Sequence, residues 1–250
     1  MSESILKARL KDLANKSYNN NHFTFSDFLS LADMQEYYEI EKDLSFTKAT
    51  VDGGNDLCER KVIRFGNPEE LGYEEPFPIM CLEIKPLNAK FADKFSHRDF
   101  LGALMNLGIE RENLGDIFVE DNKAYLYCLD RMAPYIMENL SKVKHTSIIV
   151  KPFEGEFSVP DTAKEHVTIQ VASERVDAVI ARVCKLSRDD SIDLFREQKV
   201  FINGRLCTGN DTKIKTGDRV SVRGFGKFDI DSLGGVSKKG KLNINVLVYK

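Results

Sequence analysis

Between residues 77 and 153 the sequence switches between two hydrophobic periodicities in an order that few folds accommodate. "PIMCLEI" and "TSIIVKPF" open and close the segment as short β-branched runs, which predict strands. "HRDFLGALMNLG" places Phe100, Leu101, Leu104 and Leu107 on one helical face, and "APYIMENLSK" predicts a second helix. "DIFVE" and "AYLYCL" flank Asp121-Asn122, a pair suited to a tight hairpin. The expected order is therefore β-α-β-β-α-β.

That order is the one used by a ferredoxin-like split βαβ sandwich, the topology also found in RNA-recognition-motif (RRM) domains. The topology hosts many functions and does not by itself specify RNA. The aromatic signature of base-stacking strands is absent. Tyr125 and Tyr127 share one face of the third strand, where they could stack on bases or simply be sheet surface or core.

The flanking segments read differently, so the fold class expected is α+β and multi-domain. Residues 1–75 read as a mainly helical N-terminal domain. Ile5, Leu6, Leu10 and Leu13 predict one amphipathic helix, and Phe28, Leu29, Leu31 and Ala32 another behind a cap at Ser26. "VDGGNDLCERKVIRFGNPEE" adds a Gly-Gly turn, a strand at 61–65 and an Asn-Pro break. "EGEFSVPDTAKE" is expected to link the middle domain to a third, at 165–250.

Composition narrows the function classes. The chain has 250 residues, 42% hydrophobic and 30% charged, as in a soluble globular protein. Its net charge of −3 is divided unevenly. Residues 164–250 hold 17 Lys+Arg against 11 Asp+Glu, and residues 1–163 hold 19 against 28. A basic end on an acidic body suggests a polyanionic partner for that end. The five cysteines lack a C-x-x-C pair, which argues for reduced thiols and against a disulfide framework or zinc. The N-terminus lacks a signal-peptide pattern and no apolar run approaches a membrane span, so a cytoplasmic protein is expected. The four histidines have no metal-ligand spacing, and "DGGND" lacks a phosphate-loop pattern, so neither metal nor cofactor is expected. In "SHRD", Ser96 and Asp99 are expected to cap a helix sooner than to catalyse.

The C-terminal segment carries the most specific motifs. Val176, Val179, Ile180, Val183 and Cys184 share a helical face. Ser187, with Asp190 three positions on, reads as the cap of a second helix, and Asn203-Gly204 as a hairpin turn. Lys185, Arg188, Arg196, Lys199 and Arg205 crowd this helix–turn–strand unit. From "ERVDAVIARVCKLSRDDSIDLFREQKVFINGR" through "IKTGDRVSVRGFGKF" the segment resembles the S4 RNA-binding domain, or alpha-L motif. "GGNDLCERKVIRFG", "SHRDFLGALMNLGIERENLGDIFV" and "GVSKKGKLNINVLVY" extend the resemblance to the bacterial YlmH family, which has an RRM-like middle domain and a C-terminal S4 domain.

The resemblance implies a non-enzymatic RNA-binding protein that meets ribosomal RNA of the large ribosomal subunit and tRNA in translation or ribosome-associated quality control; a monomer without a membrane partner is expected. It implies RNA contacts at Arg175, Arg182, Lys185, Ser187 and Arg188 around the helices, and at Lys199, Asn203, Arg205, Lys213, Arg223 and Lys227 along the sheet. Lys238, Lys239 and Lys241 in the "SKKGK" loop would add a phosphate clamp. The alternative is an RNA-modifying enzyme, such as a pseudouridine synthase, that docks through its S4 domain; residues 1–163 show no catalytic motif of that kind.

Overall fold

The computed structural model describes residues 4–120, 122–155, 164–237 and 240–249. The chain divides into two compact units, Met1–Phe157 and Ser158–Lys250.

The first unit begins with helix α1 (Ile5–Asn20), strand β1 (Thr24–Phe25), helix α2 (Leu31–Ile40), strands β2 (Ala49–Asp52) and β3 (Val62–Phe65), and the short helix α3 (Pro68–Leu71). The strands form an antiparallel sheet in the order β1-β3-β2. Helix outweighs strand in residues 1–75, and the strand expected at 61–65 is β3; β1 and β2 complete its sheet and are too short to display an alternating pattern. Two details differ. Ser30, not Ser26, caps α2, in a reciprocal box with Asp33. Ser26 is buried and bridges strands, its hydroxyl donating to the Asp27 carbonyl and accepting from the Ile63 amide. Ile5 points to solvent, 89% exposed, whereas Leu10 and Ala14 face the core.

Next come β4 (Ile79–Pro86), α4 (His97–Asn106), β5 (Leu114–Glu120), β6 (Lys123–Leu129), α5 (Ala133–Asn139), β7 (Lys142–Val143) and β8 (Thr146–Pro152). The antiparallel sheet runs β5-β6-β4-β8-β7. Leu82, Ile84, Leu126 and Val150 on one face pack against Phe100, Leu104 and Ile136 of the two helices. Part of the opposite face is covered by the N-terminal segment, where Phe28, Cys58 and Val62 cluster with Tyr127 and Leu129. Tyr125 and Tyr127 are 9% and 4% exposed, which resolves them as core. Tyr125 packs edge-on against Phe153, and Tyr127 against Phe118.

Polar contacts fasten this layer. The Arg60 guanidinium donates to the carbonyls of Leu114 (2.7 Å), Phe28 (2.8 Å) and Arg111 (3.1 Å), joining residues from both sheets' surroundings. Asp27, nearly buried, accepts from Arg131 at 2.7 Å and from Arg9.

The second unit contains β9 (Lys164–Val171), α6 (Val176–Val183), α7 (Arg188–Arg196), β10 (Val200–Ile202), β11 (Arg205–Leu206), β12 (Arg219–Val222), β13 (Gly226–Val236) and β14 (Leu242–Tyr249). They form one antiparallel sheet, β11-β10-β12-β13-β14-β9. Val176, Val179, Ile180, Leu194 and Phe195 of the helices share its core with Val220, Phe228 and Ile244. Asn203 (φ 51°) and Gly204 (φ 77°) make the hairpin turn with two positive φ angles. The sheet is larger than the sequence suggested, since β9 and β14 pair from Lys164↔Tyr249 to Val171↔Leu242. The expected linker reached Glu165, but Lys164 and Glu165 belong to β9; residues 156–163 of that linker lie outside the described residues.

Gly54 offers a test of the covered sheet face. Its φ is +85°, and a Cβ there would lie 2.5 Å from Cδ1 of Tyr127 and 2.9 Å from Cγ2 of Ile79. Gly54→Ala should therefore destabilise the first unit by about 1–3 kcal/mol, through backbone strain and overpacking. Urea unfolding followed by Tyr fluorescence would measure it.

Candidate functional site

The site in the second unit is organised from one buried carboxylate. Asp177, in the first turn of α6, has no exposed surface. It accepts from the Arg175 guanidinium through both oxygens (3.0 and 2.8 Å) and from the Ala178 amide at 2.8 Å. Its own carbonyl accepts from the buried Ser191 hydroxyl of α7 at 2.7 Å. The Val176 and Asp177 amides donate to the carbonyls of Thr212 and Asn210, so this helix end is satisfied by protein. Burial opposes ionisation of Asp177, but Arg175, the Ala178 amide and Arg188 outweigh it, and its pKa lies below the ordinary carboxylate value.

Beside this anchor lies a cleft of about 550 Å³. Arg175, Arg182, Lys185, Arg188 and Lys241 surround it, over a floor that includes Ala172, Ala178 and Ala181. Among the described residues its remaining polar side chains are those of Gln170 and Ser173, and none that lines it is a carboxylate. Arg182, Lys185, Arg188 and Lys241 make no ion pair or side-chain hydrogen bond with a described residue. Lys185 follows α6 with φ 55°, a left-handed position that favours glycine, while the Leu186 amide donates back to the Ala181 carbonyl at 2.9 Å. The cleft is therefore a concave basic surface, with Arg175 paired to Asp177 and the other four cations without an ion pair to a described residue.

The helix end at Arg188 is less electropositive than its position suggests. Ser187 accepts from the Asp190 amide at 3.1 Å and donates to the Asp190 carboxylate at 2.6 Å, so its hydroxyl is committed to the cap. Asp189 and Asp190 both sit in the first turn and partly cancel the helix field. Arg188 therefore contributes through its own guanidinium.

The other expected contacts lie outside the cleft. Lys199 pairs with Glu197 at 2.6 Å, and Arg196 with Asp193. Asn203 is engaged at both ends of its amide, donating to Asp218 and accepting from the Arg219 amide, each at 2.9 Å. Arg223 lies over the Phe201 ring and Lys227 over Tyr249. Arg205 and Lys213 are exposed on β11 and on the loop before β12. Lys238 and Lys239 lie outside the described residues. The lining residues Gln170 and Ser173 escaped sequence reasoning, because both are uncharged and the expected linker gave no sign of the strand β9 that carries Gln170 up to α6. The thiol of Cys184 is pushed up to about 11 by burial and stays protonated.

Asp177→Asn should cost about 2–4 kcal/mol, by removing a charge-assisted bidentate pair at a buried position. The folded pKa lies below the free value of about 3.9, so the stabilisation is complete above about pH 4 and is lost as the pH falls through the folded value. Thermal melts of wild type and variant should differ near neutrality and converge on acidification.

Residues 73–156, the part of the first unit spanning β4 to β8, match the family model described as "Putative RNA-binding domain in YlmH". The chain is 30% identical over 197 residues to Ribosome-associated protein quality control protein P2 of Bacillus subtilis (strain 168), a match covering 77% of this chain and 74% of that one. Among solved structures it matches Cell division protein ylmH from Streptococcus pneumoniae, with a TM-score of 0.47 and 17% identity over 62% of this chain and 94% of the other. On the breadth and identity of the curated match, the chain belongs to the YlmH family.

Proposed function

We propose that this protein is a non-enzymatic RNA-binding factor of the ribosome, acting in translation or ribosome-associated quality control through large-subunit ribosomal RNA and tRNA. The observation that carries the reading is the cleft of the second unit, where four cations without an ion-pair partner among the described residues stand beside Arg175, itself held by buried Asp177. Cations left unpaired repel one another, and phosphate oxygens relieve that cost while releasing counterions. On this reading residues 165–250 form an S4 RNA-binding domain and residues 77–153 an RRM-like domain, for which the β5-β6-β4-β8 strand order is the support. The relative's name refers to ribosome-associated quality control and supports both the partner and a cytoplasmic location. Burial pushes the thiol of half-buried Cys81 up to about 11 and that of Cys128 up to about 12, so neither is an activated nucleophile. No helix among the described residues is long and apolar enough to cross a membrane.

Co-sedimentation with purified large ribosomal subunits across a salt series tests the proposal. The logarithm of affinity should fall linearly with the logarithm of salt concentration. Arg182→Ala, Arg188→Ala and Lys241→Ala should each reduce the slope by about 0.7–0.9 while leaving thermal stability unchanged. A flat salt dependence, or variants that bind like wild type, would remove the cleft from RNA recognition.

Lys185→Gly separates binding from folding. Glycine relieves the left-handed strain but loosens the unfolded chain, so stability should hold or rise by up to about 1 kcal/mol. Ribosome binding should nevertheless weaken, because the charge is lost.

A further inference from the structure

The segment matched to the RNA-binding family model presents two broad surfaces, its sheet face and its helix face. The sheet face is where exposed aromatic side chains would stack on bases. Here part of it is covered: Phe25, Phe28, Cys58 and Val62 of the preceding segment, with Phe77, pack over Ile79, Cys81, Phe118, Tyr127 and Leu129. The two tyrosines of that face are buried against Phe118 and Phe153 and closed to bases, so a basic surface elsewhere on the segment is the candidate for RNA contact.

Such a surface lies on the helix side. The end of α4, the end of α5 and β7 enclose a cleft of about 500 Å³, with Arg98, Lys142 and Lys144 at its edges and Asn106, Asn139 and Ser141 between them. Arg98 and Lys142 are exposed and make no ion pair with a described residue. The one acid lining the cleft among the described residues, Asp99, is already engaged: Lys144 donates to it at 2.9 Å, and Ser96 donates through its amide and hydroxyl, both at 2.7 Å.

A second observation comes from the backbone. Gly102 stands inside α4 and lines the same cleft, although glycine is the poorest helix former after proline. Its φ is not in the left-handed region, and a Cβ built on it meets nothing within 4 Å. Neither conformation nor packing calls for glycine there. Its effect is to leave bare helix backbone on the cleft wall, open to close approach by a ligand.

We propose that this helix-side cleft is a second RNA-backbone site, in which Arg98 and Lys142 hold phosphates and the amides of Asn106 and Asn139 meet phosphate or ribose oxygens. The proposal rests on the RNA-binding reading given above and deepens it by naming the surface used.

The test uses the full-length protein with two probes, intact large ribosomal subunits and deproteinised large-subunit RNA. Arg98→Ala/Lys142→Ala should lower affinity for both probes roughly tenfold at moderate salt and reduce the salt slope by about 1.4–1.8, as expected for two phosphate contacts. Gly102→Ala should melt at a higher temperature than wild type yet bind both probes more weakly. Because neither change touches the second unit's cleft, adding Arg182→Ala/Arg188→Ala should lower affinity further. If the Arg98/Lys142 and Gly102 variants bind like wild type while the Arg182/Arg188 variant fails, the helix-side site is overturned and the wider function stands. If wild type binds neither probe, both fall. Weakened binding to subunits with unchanged binding to bare RNA would assign the cleft to a ribosomal protein and overturn the RNA site.

Discussion

The bidentate contact between Asp177 and Arg175 fixes the geometry on which the second unit's cleft depends. A carboxylate without solvent exposure is tolerated only with full hydrogen bonding, and Asp177 meets that demand with one side chain and one amide. The same residue joins α6 to α7 through Ser191, and the loop carbonyls of Asn210 and Thr212 close over its helix end. Arg175 is thereby held at the cleft edge while retaining partial exposure. Its neighbours Arg182, Lys185, Arg188 and Lys241 lack such partners among the described residues. The unit thus holds one cation through a bidentate pair and leaves four beside it without an ion pair to a described residue.

What the sequence disclosed was chiefly local. The Ser187 cap, the Asn203-Gly204 turn and the apolar face of α6 each depend on residues within a few positions, and each was legible. Long-range pairing was not. The alternation of Val167, Ile169 and Val171 is present in the sequence, but it adjoins a polar stretch and acquires meaning only through β14. The pairing of those two strands lies in the same sheet that brings Gln170 and Lys241 to the cleft wall. In the same way, a list of cations could not be divided into those with partners and those without. Lys227 over Tyr249 and Asn203 between Asp218 and Arg219 are contacts made by the fold.

The first unit shows how topology can mislead about use. Its β5-β6-β4-β8 order leaves a broad sheet face, and two tyrosines on β6 invite a stacking role. The decisive fact is what buries them: residues 25–62 lie over Tyr127, with Gly54 against its ring and Phe28 against Gly115, and Phe153 packs on Tyr125. A fold-level analogy identifies surfaces that could act. Which remain open depends on what else the chain packs there.

The covering layer also bears on how the chain is made. Residues up to Arg60 leave the synthesising ribosome before Arg111 and Leu114, whose carbonyls complete the Arg60 guanidinium's contacts, and before Arg131, which pairs with Asp27. The early segment carries Phe28, Val62 and half of an apolar cluster, and its complement arrives only after about another 70 residues. The first unit can therefore reach its native packing only late in its own synthesis. Until then the nascent chain holds an apolar surface waiting for the sheet.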